Sequence, residues 1–404
     1  MPAREPRPAP AHARGRAVRT RQVGSPRRAI GTALAIAIGC SIGVVATASS
    51  TAAQVAQPPY EEFTAGYAVN GTYTPIVGNF TGADGREDIL WYAPGSTPET
   101  LWQATTSRTA RFAKVPVPAV NGTYVPVVGD FSSDGYDDIL WYGPGTASDT
   151  LWNFTSTGLT TKALAISGTF TPLVLPNRVL PDSVLWYAPG TATDWLWAFE
   201  AGATFTSAAY RIDGTYRPLV GDLDSDQLGD VFWYAPGPAP DARWMRSGPQ
   251  AAASFTSVAD PVNGSYVPIV GDFGTPGTTA DASSDVAWTT TSGTDQVWDR
   301  TGSTVHRSQA TIAGPKVVRV GDVGPDALIS WGGTGGDRVW RSTTLGGDSA
   351  RGTGLAKVAA DAIPIVGQIR DDDQYDHGGT VVGIYWYVPG PGADLFEELP
   401  LPTA

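Results

Sequence analysis

Short apolar segments alternate with turn-forming residues along most of the chain, in a pattern that repeats seven times. Each copy has four strand-sized segments; in the second copy they are residues 124–131, 138–142, 150–154 and 159–166. The first segment is apolar and β-branched, as expected of a strand that is covered on both faces. Pro-Gly often follows the second segment, and Asn-Gly or Gly often precedes the next copy, so turns separate the segments. The pattern predicts sheets of four short antiparallel strands.

Tryptophan marks the same two places in these repeats. A Trp, usually followed by Tyr, closes the second segment, and a second aromatic residue follows nine to eleven residues later. The first set is Trp91, Trp141, Trp186, Trp233, Trp288, Trp331 and Trp386, and the second is Trp102, Trp152, Trp197, Trp244, Trp298, Trp340 and, once, Phe396. We expect these rings to fill the wedge between adjacent sheets, with each indole N–H bound to a backbone carbonyl.

The spacing of the repeats predicts the architecture. Seven copies at intervals of 43 to 55 residues match the length of one four-stranded propeller blade. Residues 61–404 are therefore predicted to form one all-β domain, a seven-bladed β-propeller of four-stranded antiparallel blades. The last copy stops soon after Phe396, one strand short, and residues 61–69 resemble the end of other copies. We predict that this N-terminal strand completes the last blade and closes the ring.

The N-terminal residues differ from the repeats and are set apart from the fold. Residues 1–28 contain eight arginines and one acid, and residues 29–48 are apolar and small, ending in an Ala-x-Ala cleavage site. We predict a signal peptide over 1–53, a linker over 54–60 and a secreted protein. The alternatives are an uncleaved membrane anchor with the propeller outside, a lipoprotein site at Cys40, and a twin-arginine signal.

Charge and cysteine content narrow the classes of function. The leader holds the only cysteine, so the mature chain would have neither a disulfide nor a thiol nucleophile. The formal net charge is −12, and removal of the arginine-rich leader makes the chain more acidic still. Such a surface repels nucleic acid, which is not expected as a partner, but suits cation binding outside the cell. We expect a monomer that meets a membrane only if the leader is retained.

An acidic loop between the first and second strands carries the candidate chemistry. Side-chain oxygens at loop positions 1, 3, 5 and 9, with a carbonyl at position 7, form the oxygen set that Ca²⁺ favours. The two full sets are Asp130, Ser132, Asp134, Tyr136 and Asp138 in the second copy, and Asp222, Asp224, Asp226, Leu228 and Asp230 in the fourth. A weaker set in the first copy, with an extra residue in the loop, is Asn79, Thr81, Asp84 and Asp88. We predict that the two full sets bind calcium and that the other loops are solvated turns.

These loops resemble the FG-GAP and VCBS repeats, whose best-known members are the propellers of integrin α-subunits. The match rests on Val-Gly-Asp-Phe-x-x-Asp-Gly-x-x-Asp followed by Ile-Leu-Trp-Tyr, residues 128–142, and the resemblance covers about 61–404. The Trp-Tyr-x-Pro-Gly element is similar to the version common in secreted bacterial proteins. The resemblance implies a seven-bladed propeller with Ca²⁺ in some of the loops on one rim.

The sequence favours a binding protein over an enzyme. Beyond the leader there are two histidines, His306 and His377, and neither a Gly-x-Ser-x-Gly motif nor a phosphate loop, so no catalytic residue is proposed. We predict a secreted or surface-associated, calcium-stabilised module that binds an extracellular protein or carbohydrate. Trp195 lies outside the repeat positions and is expected to face away from Trp197 as an exposed ligand platform. The alternative is a polysaccharide lyase or hydrolase on a propeller scaffold.

Overall fold

The structure, a computed structural model, describes much of the chain after residue 68. The described residues are 69–82, 86–105, 111–178, 180–248, 253–273, 283–290, 295–301, 304–310, 312, 316–320, 326–332, 337–340, 353–355, 357–372, 379–392 and 394–398. All belong to the second of two compact units, residues 58–404. The predicted signal peptide and linker lie outside the described residues. Within the described segments, no helix has the length and apolar character needed to span a membrane.

The described strands form antiparallel sheets in which neighbours pair in chain order. Six sheets have four strands each and are numbered blades 1 to 6. Blade 1 contains β1 (Thr74–Gly78), β2 (Asp88–Tyr92), β3 (Thr100–Ala104) and β4 (Phe112–Val115). Blade 2 contains β5 (Val125–Gly129), β6 (Asp138–Tyr142), β7 (Asp149–Thr155) and β8 (Gly158–Leu164). Blade 3 contains β9 (Thr171–Leu175), β10 (Ser183–Tyr187), β11 (Asp194–Glu200) and β12 (Thr204–Tyr210).

The next three blades follow the same order of strands. Blade 4 contains β13 (Arg217–Gly221), β14 (Asp230–Tyr234), β15 (Ala242–Ser247) and β16 (Ser254–Ala259). Blade 5 contains β17 (Val267–Gly271), β18 (Asp285–Thr289), β19 (Asp295–Thr301) and β20 (Thr304–Ala310). Blade 6 contains β21 (Lys316–Val320), β22 (Ala327–Trp331), β23 (Arg338–Trp340) and β24 (Thr353–Gly354). The prediction of an all-β propeller with four-stranded antiparallel blades is confirmed.

The last sheet departs from the prediction. It has three strands, β25 (Ile363–Asp372), β26 (Gly379–Tyr387) and β27 (Leu395–Glu398). The prediction of seven four-stranded blades is therefore wrong, since the described residues form six. The physical reason is that no described strand pairs with the outer edge of β27. The segment predicted to fill that place, residues 61–69, lies outside the described residues except for Val69.

The sheets pack side by side in chain order. The first strand of each blade contacts the first strand of the next, from β1 through β5, β9, β13, β17 and β21 to β25. Strand β25 also contacts β1, so the three-stranded sheet lies between blade 6 and blade 1. Several hydrogen bonds join it to the start of the described chain, among them the pair between the main chains of Gly71 and Gly390. The Val69 N–H donates to Asp394 Oδ2 at 2.7 Å, and the Tyr387 hydroxyl donates to the Gly71 carbonyl at 2.7 Å.

Tryptophan fills the space between blades, as predicted. Five buried tryptophans each pack against a tyrosine of the preceding sheet, with ring centroids 4.9 to 5.1 Å apart. The pairs are Trp91 with Tyr387, Trp141 with Tyr92, Trp186 with Tyr142, Trp233 with Tyr187, and Trp288 with Tyr234. Their indole Nε1 atoms have no hydrogen-bond partner among the described residues, so the expected carbonyl bond is wrong for these five. Aromatic rings pack against them where a carbonyl was expected.

The tyrosine after the tryptophan ties its own sheet to the next one. In blade 2 the Tyr142 hydroxyl donates to the Gly168 carbonyl at 2.8 Å and accepts the Phe170 N–H at 2.9 Å. The same two bonds recur at Tyr92, Tyr187, Tyr234 and Tyr387. Gly168 has a φ of 145°, and a Cβ there would meet the Phe170 ring, so the position requires glycine.

A buried carboxylate makes a second repeated link, which the sequence analysis did not identify. Asp149 is fully buried and accepts the Gly143 N–H at 2.8 Å and the Ile166 N–H at 2.6 Å. Ile166 lies in the chain that leads from blade 2 to blade 3. The equivalent residues are Glu99, Asp194, Asp241, Asp295, Asp337 and Asp394. Each such bond stabilises the fold by about 1 kcal/mol net, or more where the acceptor is charged.

Candidate metal centre

The loops between the first and second strands lie next to one another along one rim. In five successive pairs of blades, the residue directly before the second strand, which is loop position 8 in blades 2 and 4, donates its N–H to the carbonyl of position 1 in the preceding loop. These donor and acceptor pairs are Asp137 and Asn79, Asp182 and Asp130, Gly229 and Pro176, Ser284 and Asp222, and Asp326 and Asp272. The candidate loops are therefore built into the contacts between blades.

The loop of blade 4, residues 222–230, brings three carboxylates together. Oxygens of Asp222, Asp224 and Asp226 lie within 4.8 Å of one another. Asp222 also accepts the N–H groups of Asp226 and Gln227, at 3.0 and 2.9 Å, which folds the loop. Ca²⁺ holds its oxygen ligands at roughly 2.3–2.6 Å, so two ligands of one ion are no more than about 5 Å apart. The three carboxylates fit one such ion.

The loop of blade 2, residues 130–138, has two carboxylates and a hydroxyl at the equivalent positions. Asp130 accepts the N–H groups of Asp134 and Gly135, at 3.2 and 3.0 Å, in the same turn as in blade 4. Ser132 is 7% exposed, and its buried Oγ has no hydrogen-bond partner among the residues that the structure describes. A buried polar atom without a partner costs free energy and calls for an explanation. The Ser132 hydroxyl therefore fits the third ligand of a cation.

The residues predicted as ligands at position 9 are engaged by main-chain donors. Asp138 is fully buried and accepts the N–H of Phe131 at 3.0 Å and that of Phe154 at 2.9 Å. Asp230 accepts the equivalent N–H groups in blade 4, and it is not part of the group of three close carboxylates. Both oxygens of each carboxylate are thus bonded within the blade. The structure places Asp138 and Asp230 as braces between the loop and the third strand.

The position-7 residues follow the turn in both loops. The Tyr136 N–H donates to Asp134 at 3.1 Å, and the Leu228 N–H donates to Asp226 at 2.9 Å. Each bond uses one carboxylate oxygen of the aspartate, Asp134 or Asp226, and leaves the other oxygen for another contact. Tyr136 and Leu228 therefore lie beside the carboxylates with which they are predicted to share an ion.

Burial governs the acidity of the bracing carboxyls. It raises the pKa of Asp138 to about 8 and that of Asp230 to about 7, against the lowering effect of their N–H donors. Neighbouring loop carboxylates raise both pKa values further. A bound cation would act in the opposite direction, because positive charge favours the ionised form.

The set predicted in the first copy is not assembled as one site in the described residues. Asp84 lies outside them. Asp88 is buried, and the Thr81 hydroxyl donates to it at 2.8 Å. The Asn79 side chain reaches the neighbouring blade, where Nδ2 donates to the Gly135 carbonyl at 3.0 Å. Asn79 therefore contributes to the blade-2 loop, and the two remaining oxygens bond to each other.

Trp195 is 39% exposed. Its expected orientation is wrong, because residues two apart in a strand point to the same face. The register confirms this, since Trp195 pairs with Trp186 and Trp197 pairs with Val184 across β10 and β11. Trp195 lies near the start of β11 and is not among the buried residues packed between blades 2 and 3, which include Trp197 and Phe199. Its role as a ligand platform stays a prediction.

Sequence reasoning missed the side chain at loop position 8. Asp137 Oδ2 accepts the Asn79 N–H at 2.7 Å, and Asp182 Oδ2 accepts the Asp130 N–H at 3.2 Å. Both acceptors stand one residue before the second strand of their blade, so alignment of the repeats carries the signal. Burial raises the pKa of Asp182 to about 7, and its N–H donors oppose that rise. The sequence analysis predicts only a solvated turn for the third loop.

No family model and no curated protein matches this chain. Among solved structures, it is similar to the rhamnogalacturonan lyase PL11 of Bacillus licheniformis, with 11% identity and a TM-score of 0.39. The match covers 84% of this chain and 75% of that one. A likeness at this level gives no information about a site or an activity.

Proposed function

We propose that the protein is a secreted or surface-associated propeller that binds calcium in its blade-2 and blade-4 loops. The observation that carries the proposal is the convergence of Asp222, Asp224 and Asp226 within 4.8 Å. Like charges are held this close at a cost in free energy, which a divalent cation would offset. The proposed ligands are carboxylates, main-chain carbonyls and, in blade 2, a hydroxyl, without a nitrogen or sulfur ligand, and this favours a hard cation such as Ca²⁺.

In this proposal, each blade would hold its own ion. Asp222, Asp224 and Asp226, with the Leu228 carbonyl, would bind the ion of blade 4. The equivalent groups in blade 2 are Asp130, Ser132, Asp134 and the Tyr136 carbonyl. The unpartnered Ser132 hydroxyl supports the blade-2 assignment. Calcium would neutralise the loop charges and stabilise the rim on which the loops lie.

We further propose that the calcium-stabilised propeller is a binding module for an extracellular protein or carbohydrate, of the FG-GAP and VCBS type. Its support is the exposed indole of Trp195, because an exposed aromatic ring is suited to stacking on a sugar or a protein side chain. A secreted location agrees with the basic and apolar segments over 1–53. These properties of the chain are consistent with a surface that contacts other molecules.

Calcium titration by calorimetry tests the metal proposal. The chelator-treated protein should bind two ions, and Asp134→Ala and Asp226→Ala should each lose one. Asp213→Ala is the matched control, because Asp213 is an exposed carboxylate that pairs with Arg211 outside the loops. An unmodified protein that takes up no calcium would refute the proposal.

A glycan array and a pull-down on cell-wall polysaccharide test the binding role. If the protein is retained by a polysaccharide and the Trp195→Ala variant is not, the indole of Trp195 is supported as the contact. Release of unsaturated or reducing sugars from the polysaccharide would support the lyase or hydrolase alternative instead.

A further inference from the structure

We propose that the blade-2 loop is held in its cation-binding geometry by both neighbouring blades, through Asn79 of blade 1 and Asp182 of blade 3. The inference rests on the calcium function proposed above. It makes these two side chains positioning residues for an ion that they do not themselves bind.

Asp182 fixes the first ligand of the loop. Its Oδ2 accepts the Asp130 N–H at 3.2 Å, and its own N–H donates to the Asp130 carbonyl at 2.9 Å. The other oxygen, Oδ1, accepts the Asn177 N–H at 2.9 Å, which orients the carboxylate. Blade 3 therefore holds the main chain of Asp130 on both sides. The Asp130 carboxylate in turn folds the loop by accepting two of its N–H groups.

Asn79 fixes the turn at the opposite end of the loop. Its Nδ2 donates to the carbonyl of Gly135, which has a φ of 86° at loop position 6. The Asn79 main chain is anchored in turn, since its N–H donates to Asp137 Oδ2 at 2.7 Å and its carbonyl accepts the Asp137 N–H at 2.9 Å. Blade 1 thus holds the residues on either side of Tyr136, whose carbonyl is a proposed ligand.

The Ser132 hydroxyl is the independent sign of a ligand at this loop. It lies between the two anchored ends and is more than nine-tenths buried, and its Oγ has no partner. A free acidic turn could rotate such a hydroxyl into water. A loop that is anchored at positions 1 and 6 has much less freedom to do so. The anchors therefore restrict a loop that carries an unpaired buried oxygen at position 3, between the carboxylates of positions 1 and 5 in the chain, which is a set of ligands that a cation would complete.

The blade-4 loop has weaker support of the same kind. The Asp222 N–H donates to the hydroxyl of Ser284 at 3.1 Å, where blade 2 has the carboxylate of Asp182. The Asp182 side chain is fixed in place by a second hydrogen bond, from the Asn177 N–H at 2.9 Å, and the described residues show no such bond to the Ser284 hydroxyl. We therefore expect the calcium affinity of the blade-2 loop to depend more on its neighbour than that of the blade-4 loop does.

The test isolates the blade-2 site in an Asp226→Ala background and measures its calcium dissociation constant by calorimetry. Asp182→Ala and Asn79→Ala should each raise that constant about fivefold or more, the equivalent of one net hydrogen bond. Asp182→Asn should restore most of the affinity, because its amide oxygen can still accept the Asp130 N–H. Asp326→Ala is the matched control and should change nothing. Asp326 Oδ2 accepts the Asp272 N–H at 2.7 Å, as Asp182 accepts the Asp130 N–H, but no ion is proposed in the blade-5 loop.

An unchanged dissociation constant in Asp182→Ala and Asn79→Ala would overturn the inference, even if both variants melt at a lower temperature. Equal weakening by Asp182→Ala and Asp182→Asn would also overturn it, since the charge alone would then be responsible. If Asp182→Ala fails to fold, the conservative Asp182→Asn and Asn79→Ser carry the same comparison. Absence of calcium binding in the Asp226→Ala parent would refute the blade-2 site itself, and the inference with it.

Discussion

Asp138 and Asp134 lie four residues apart in one loop, and replacing each of them by alanine should affect stability in a different way. Asp138→Ala should destabilise the protein with or without calcium, because Asp138 braces the loop against β7. Asp134→Ala should leave the calcium-free protein unchanged, because the Asp134 carboxylate is exposed and accepts one N–H within the turn. The sequence spacing alone treats both residues as calcium ligands, so the comparison separates that interpretation from the one given by the structure.

The hydrogen bonds of Asp138 set the size of the effect. It accepts the Phe131 N–H at 3.0 Å, the Phe154 N–H at 2.9 Å and Asn153 Nδ2 at 2.9 Å. A buried donor without a partner costs about 1–3 kcal/mol. Asn153 is partly exposed and can turn toward water, so the two main-chain donors dominate. Their loss should lower the free energy of unfolding by about 3 kcal/mol, which corresponds to roughly 4 °C in melting temperature for a domain of this size.

Scanning calorimetry at one pH, in chelator and in excess calcium, measures both variants. Asp138→Ala should melt about 4 °C below the parent in chelator. Asp134→Ala should match the parent in chelator and lose only part of the rise that calcium produces. If Asp138→Ala melts like the parent in chelator and loses only the calcium increment, Asp138 is a ligand and the bracing role is wrong.

Three further predictions concern the contacts between blades, the titration of the braces and the closure of the ring. Tyr142→Phe should lower the free energy of unfolding, measured by denaturant titration, by about 2 kcal/mol, because two main-chain groups of the next blade lose a partner. Tyr136→Phe is the control, because the Tyr136 hydroxyl makes no hydrogen bond in the described residues. In chelator, the melting temperature should fall as pH rises from 6 to 9. Burial raises the pKa of Asp138 to about 8, so its contribution is full below the unfolded pKa of about 3.9 and is lost as pH rises through the folded value. A flat profile, or one unaltered in Asp138→Asn, would contradict this. Deletion of residues 61–69 should lower the melting temperature more than deletion of the equally long 274–282, and equal melting would refute the predicted closure.

The repeat made most of the fold predictable. Each copy places Trp and Tyr at the end of its second strand, so seven weak local signals support one another at a fixed period. The register bears this out in blade 2, where β5 and β6 begin and end within a few residues of the predicted segments 124–131 and 138–142. The number of strands in the last sheet was not predictable in the same way. The predicted fourth strand there rested on residues 61–69, which lie far along the chain from the copy that they were expected to complete.

The site was only partly predictable because spacing does not reveal which donors surround a carboxylate. Asp138 fits a calcium motif by its position, yet the N–H that it accepts from Phe154 is sixteen residues away and on another strand. Asp182 bonds to Asp130 across 52 residues. A motif read along the chain captures Asp222, Asp224 and Asp226, which are neighbours in one turn. It misses groups that the packing of blades brings to the loop.

The hydrogen bonds at the ends of the blade-5 loop are made by the same groups as in blades whose loops are shorter. In blade 5, the Asp272 N–H bonds to Asp326 at 2.7 Å, and the Phe273 N–H bonds to Asp285 at 2.8 Å. These are the bonds found in blades 2 and 4, although the loop sequence of this copy is longer and the fifth copy carries its insertion over 274–284. A foreign peptide inserted in place of residues 274–282 would therefore begin and end next to residues that hydrogen bonds hold in place. The propeller offers a display scaffold on which chosen sequences could be presented along one rim.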